Sequence, residues 1–222
     1  MTFPNPVDAV IFDMDGLLLD TEALYALAIV NASREVGFEI SKTFCHAMIG
    51  IPETECNVMI QEHFGPSFPM EEYLTKCGAQ LDVLYEAGIS VKLGVFRLID
   101  QLTQFGILKA IATSSSRRTA THHLKKSDLF DRFSVVITRD DVQHGKPSPQ
   151  PYLKAAASLG VEPGRCLSLE DSLNGIRSAK AAGTMPIMVP DLIMPTEEIR
   201  SMCIAVVRDL HEVRQMIVDQ YS

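Results

Sequence analysis

The stretch Ala9-Val10-Ile11-Phe12-Asp13-Met14-Asp15-Gly16 governs how the rest of the chain is read. Its first four residues are apolar without alternation and too few for a helix. They suit a strand covered on both faces, as in a parallel sheet. Two carboxylates and a glycine follow where such a strand must end. Short apolar runs recur downstream at 110–112, 135–137, 166–169, 187–189 and 204–207. Helical patterns lie between most of them. The segment 95–105 places Val95, Phe96, Leu98, Ile99, Leu102 and Phe105 at helical spacing before Gly106. The segment 149–159 opens on prolines and closes at Gly160, and 172–182 ends at Gly183. Alternating strand and helix predicts an α/β fold with a mostly parallel sheet.

Residues 20–88 read differently, with no convincing strand. The segments 22–36, 53–64 and 70–87 are helical, ending near Gly37, Gly65 and Gly88. An all-helical insert of about 70 residues after the first strand predicts a second, smaller domain. The division expected is 1–18 with 91–222 for the core and 19–90 for the insert. A closing helix is expected over 210–218.

The composition narrows the function. Lys plus Arg number 20 against 28 Asp plus Glu, a formal charge of −8, which argues against general nucleic-acid or membrane binding. No run approaches the roughly 20 apolar residues of a membrane span. Met1-Thr2-Phe3-Pro4-Asn5-Pro6 lacks the basic and apolar regions of a signal peptide. Five cysteines without a Cys-x-x-Cys suggest reduced thiols in a cytoplasmic protein. Oligomeric state is not readable.

In open parallel sheets, ligands bind beyond the carboxyl ends of the strands. Asp13 and Asp15 follow the first run, and Thr113, Ser114 and Ser115 the second. Lys146, in Gly145-Lys146-Pro147, comes in the loop after the third, and Glu170-Asp171 follow the fourth. Two carboxylate pairs, a hydroxyl cluster and one lysine would converge on one edge. These groups match phosphate-ester chemistry. Carboxylates supply the hard oxygens Mg²⁺ prefers, one can attack phosphorus, and another can move the proton. Hydroxyls and a lysine hold the oxygens where charge accumulates. Taken singly each motif has a bland reading as a turn, cap or solvated side chain. Their joint order, each after a buried strand, does not.

Phe12-Asp13-Met14-Asp15-Gly16, Ala112-Thr113-Ser114-Ser115, Gly145-Lys146-Pro147 and Glu170-Asp171-Ser172-Leu173-Asn174-Gly175 resemble the four motifs of the haloacid dehalogenase-like hydrolase superfamily. The resemblance runs from about Val7 to Pro190, weakest in the helical insert. It points to the branch of sugar phosphatases and β-phosphoglucomutase, and implies a Rossmann-like core with an inserted helical cap that closes over substrate. It implies Asp13 as nucleophile and metal ligand, and Asp15 as general acid/base lending its backbone carbonyl to Mg²⁺. Thr113, Ser114 and Lys146 would bind the phosphoryl group, while Asp171 with Glu170 would complete the metal site. The aspartate at 15 sets the chain apart from dehalogenating and phosphonate-cleaving members. Mutases of this branch carry a histidine where Tyr25 stands and an arginine where Glu53 stands, three residues after Gly50. A carboxylate at 53 would repel a second phosphate. The expectation is a Mg²⁺-dependent phosphatase of a small phosphorylated metabolite, with Tyr25 and Glu53 near the substrate. A phosphosugar mutase and a catalytically silent protein of the same fold are the alternatives. His122 and His123, adjacent and lacking metal-binding spacing, read as surface residues.

Overall fold

The computed structural model describes residues 3–48 and 53–221, so Gly50 lies outside the described residues. The chain divides into two compact units, residues 1–20 with 90–222 and residues 21–89.

The larger unit is built on six parallel strands: β1 (Ala9–Phe12), β2 (Leu108–Ala112), β3 (Val135–Ile137), β4 (Cys166–Glu170), β5 (Met185–Met188) and β6 (Ala205–Val206). Their order is β3-β2-β1-β4-β5-β6. β1 is therefore central, pairing Ala9 with Leu108 on one side and with Cys166 on the other. Every residue of β1 and β4 is buried, which explains the unbroken apolar run of β1; the two polar residues of β4, Ser168 and Glu170, are buried with hydrogen-bond partners. β5 starts two residues before the expected run and includes Pro186. Proline is tolerated there because β6 pairs only with Ile187 and Met188, so no ladder bond to β6 needs its missing N–H. The chain builds outward from β1 through β2 to β3, then returns to lay β4 on the other flank of β1. That reversal opens a crevice at the carboxyl ends of β1 and β4.

The smaller unit holds α1 (Thr21–Glu35), α2 (Lys42–Ala47), α3 (Glu53–Phe64) and α4 (Met70–Ala87). On α4, Tyr73, Cys77, Leu81 and Leu84 recur at helical spacing and pack into this unit's own core with Ala28, Ala32 and Ile60. Phe38, Phe64 and Phe68 meet edge-on or stacked within it. Tyr25 is half-buried against the same cluster. Glu53 is the first residue of α3.

The larger unit adds α5 (Val95–Gln104), α6 (Arg117–Lys126), α7 (Gln150–Leu159), α8 (Leu173–Ala181), α9 (Glu197–Met202) and α10 (Leu210–Tyr221). Ser116 and Ser172 cap α6 and α8, their hydroxyls accepting from the N–H groups of Thr119 and Gly175. The segments on either side of residues 21–89 bond to each other. Asp20 N donates to Ser90 O and Lys92 N to Leu18 O, both at 2.9 Å. The Lys92 ammonium adds ion pairs to Asp20 at 3.6 Å and to Asp191, beyond β5, at 2.5 Å. Among the described residues no helix is long and apolar enough to cross a membrane.

Candidate active site

The sheet ladder carries the motif residues at or just past the strand ends. Asp13 N donates to Leu169 O at 3.0 Å, Thr113 N to Ile137 O at 2.9 Å, and Val189 N to Glu170 O at 2.7 Å. The side chains at 13, 113 and 170 are thereby fixed by backbone rather than by loops, which favours a precise site.

Asp13 is only 7% exposed. Its Oδ1 accepts from the Lys146 ammonium, which also donates to Glu170 Oε1 at 2.5 Å. Burial pushes the Asp13 carboxyl up to about 8, with Glu170 and Asp15 adding to the rise and Lys146 opposing it. Burial works against the charged form of Lys146, but Asp13 and Glu170 outweigh it and hold the ammonium above its usual range. The loop bearing Lys146 is tied down at both ends. Gln150 Oε1 accepts from the N–H groups of Gln143 and His144 at 3.0 Å, and Ser178 Oγ donates to Ser148 O at 2.5 Å. His144 itself is exposed.

Glu170 is fully buried. Its Oε1 also accepts from Tyr152 Oη at 2.6 Å, and its Oε2 accepts from the N–H and hydroxyl of Ser172 at 3.3 and 3.0 Å. The carboxylate lies directly against the Cα of Gly175, in the space a Cβ would need. Gly16 plays a similar part for Asp171. It sits at φ +81°, and a side chain there would collide with the Asp171 carboxylate.

Asp15 turns toward β2 and α6. Its Oδ2 accepts from Ser115 Oγ at 2.8 Å and, more weakly, from Thr113 Oγ1 at 3.3 Å. Ser115 N donates to Thr113 Oγ1 at 3.0 Å, which ties the Thr113 hydroxyl to the backbone of the loop. Ser114, between them, is exposed. So the structure brings together Asp13, Asp15, Thr113, Lys146, Glu170 and Asp171, and gives Ser115 the contact with Asp15.

One expectation is corrected. His122 and His123 are not both surface residues: His122 is half-buried, and His123 is 2% exposed with Nδ1 4.0 Å from Asp15 Oδ1. Burial pushes the His123 imidazole down while Asp15 pulls it up, burial prevailing. His123 shares the inner face of α6 with Ala120 and Leu124. That i, i+3, i+4 spacing was the available signal, masked by a segment otherwise rich in Arg, Lys and Thr. Tyr152 also escaped sequence reading, because it lies among apolar residues in a helix that packs on the sheet.

Asp13, Glu170 and Asp171 bring carboxylate oxygens within 4.8 Å of one another. A single ammonium, Lys146, stands against them and leaves negative charge in excess. Hard oxygen donors with surplus charge fit a divalent cation of the Mg²⁺ class. Beside them stand Asp15, with its hydroxyl partners, and Lys146.

The family model described as haloacid dehalogenase-like hydrolase matches residues 10–189. Hexitol phosphatase B of Escherichia coli is 32% identical over 199 residues, covering 86% of each chain. A phosphorylated carbohydrates phosphatase of Thermotoga maritima is 31% identical over 177 residues, covering 80% of this chain and 82% of that one. Among solved structures, a Thermotoga maritima protein provisionally named beta-phosphoglucomutase superposes with a TM-score of 0.84 at 27% identity, over 96% of this chain and 99% of that one.

Proposed function

This chain belongs to the haloacid dehalogenase-like hydrolases and is a phosphoric monoester hydrolase, and on that premise we propose that it hydrolyses a small phosphorylated metabolite with Mg²⁺ through an aspartyl phosphate on Asp13. The observation that carries the reading is the setting of Asp13, a buried carboxylate at the strand crossover, beside an ammonium and two further carboxylates.

In the first step an Asp13 oxygen attacks phosphorus as the ester P–O bond breaks. Asp15 gives its proton to the departing oxygen, releasing the alcohol. In the second, Asp15 takes a proton from water as the water oxygen attacks phosphorus. The bond to Asp13 breaks, freeing phosphate and restoring both side chains. In this reading Thr113 and Lys146 hold the equatorial oxygens, with Ser114 contributing. Asp13, Asp171 and the Asp15 carbonyl would hold Mg²⁺, with Glu170 beside them. When bound, the ion neutralises phosphate charge so that an anionic nucleophile can approach. Ser115 holds the Asp15 carboxyl through its hydroxyl.

The names of the two curated relatives favour a sugar or sugar-alcohol phosphate as substrate. The structural likeness to a protein named as a mutase supports a second reading. Tyr25 and Glu53 weigh against it, since neither can grip a second phosphate as histidine and arginine would. Incubation with β-glucose 1-phosphate and a bisphosphate primer separates the two, because a mutase yields glucose 6-phosphate and a phosphatase yields inorganic phosphate. For the main reading, Asp13→Asn is expected to lower kcat by more than about a thousandfold with the fold intact. Turnover above that level would refute it.

A further inference from the structure

Tyr152 is fully buried in the core beneath the sheet, with Ala9, Ile11, Ala110 and Ala155. Packing accounts for its ring, and a phenylalanine would fill that space. It does not account for the oxygen, which needs a partner once buried. That partner is Glu170 Oε1, the same atom that accepts from Lys146. At 2.6 Å from a carboxylate oxygen, the phenol O–H is the donor.

A carboxylate oxygen offers about two lone-pair directions. Tyr152 fills one and Lys146 the other. The ammonium has three N–H groups, and two are directed at Asp13 Oδ1 and Glu170 Oε1. Its Nζ also stands 5.3 Å from the centre of the Tyr152 ring, within the range of a cation–π contact. We propose that Tyr152 is a positioning residue for Lys146: its hydroxyl satisfies Glu170 from behind, and its ring floors the ammonium, so that Lys146 stays shared with Asp13 and keeps an N–H for a phosphoryl oxygen.

The alternative arrangement defines the effect. Without the hydroxyl, Glu170 Oε1 has an empty acceptor direction in a place water does not reach. The ammonium, the other donor to that atom, is drawn toward Glu170 and away from the phosphoryl site. This inference rests on the phosphatase reading, and the experiment separates the two.

Tyr152→Phe removes only the oxygen, and Tyr152→Met removes the donor while filling much of the volume. Binding of inorganic phosphate in the presence of Mg²⁺ is measured by titration calorimetry. kcat and KM are measured on para-nitrophenyl phosphate, well below the thermal midpoints. Phosphate is expected to bind about tenfold more weakly to both variants, with KM rising more than kcat falls, as suits loss of one hydrogen bond to a charged group. A residue that only packs would leave phosphate affinity and KM at wild-type values in Tyr152→Phe, whatever the thermal midpoint of Tyr152→Met, and that result overturns the inference. Wild-type turnover with unchanged affinity in Tyr152→Phe removes the inference and leaves the phosphatase reading standing. Wild-type protein with neither turnover nor phosphate affinity removes both.

Discussion

Replacing Gly175 with alanine is expected to damage the site and the fold together. The new Cβ would occupy the position of the Glu170 carboxylate. To reach ordinary contact near about 3.5 Å, that carboxylate must retreat by more than about 1 Å. It is fixed by Lys146 at 2.5 Å and Tyr152 at 2.6 Å, so both bonds stretch beyond good geometry. A hydrogen bond to a buried charge contributes about 1.5–3 kcal/mol, and overpacking costs about 1–3 kcal/mol. Alanine returns at most about 1 kcal/mol through helix propensity. Partial relaxation leaves a net loss of about 2–4 kcal/mol, a fall of roughly 5–15 °C in thermal midpoint for a chain of this size. Lys146 is pulled out of register at the same time, so kcat/KM should fall by about a hundredfold or more. Gly78 provides the control, since it lies exposed in α4 with nothing near its missing Cβ. There the same substitution should stabilise by about 0.5–1 kcal/mol. Thermal melts of both variants, with rates on para-nitrophenyl phosphate, test the reasoning. A Gly175→Ala protein with the wild-type midpoint and turnover within about twofold would refute it.

Two further outcomes follow from the same geometry. Ser115→Ala should reduce kcat by about tenfold, because Asp15 loses the partner at 2.8 Å, and Ser114→Ala should act mainly on KM; equal effects on kcat would contradict the assignment of Asp15's partner. Mg²⁺ at a hundred times its dissociation constant should stabilise the wild-type fold by about 2.7 kcal/mol, whereas Asp171→Asn should lose most of that gain in calorimetry; an undiminished gain would place the ion elsewhere.

Much of the architecture was legible because the strands are covered on both faces. A strand such as Ala9–Phe12 must be apolar throughout, and such runs stand out in any sequence. The longer helices announced themselves by spacing and by the glycines that end them. α2 and α9 were not anticipated because six residues are too short to show a period. α6 was missed because polar residues dominate it and its inner face comprises only Ala120, His123 and Leu124.

The site divides along a similar line. Asp13, Asp15, Lys146, Glu170 and Asp171 were readable because they follow strand ends in a fixed order. Ser115 stood within the hydroxyl cluster, but only geometry separates it from Ser114 as the partner of Asp15. His123 and Tyr152 reach the site from helices, where sequence shows only positions on an inner face. A core residue with one polar atom looks like any other core residue until its hydrogen bond is seen.

The pairing of residues 18–20 with 90–92 has a consequence for how this protein can be taken apart. The points where the chain leaves the larger unit and returns to it are already hydrogen-bonded neighbours, with Lys92 riveting Asp20 to Asp191. Joining them needs only a tight turn, so residues 21–89 form an exchangeable cassette. A core with that cassette trimmed to a turn, or replaced by the equivalent segment of a relative, keeps every strand of the sheet and every motif side chain in its own chain. The inserted unit and the sheet that carries the motif residues could then be varied separately and recombined.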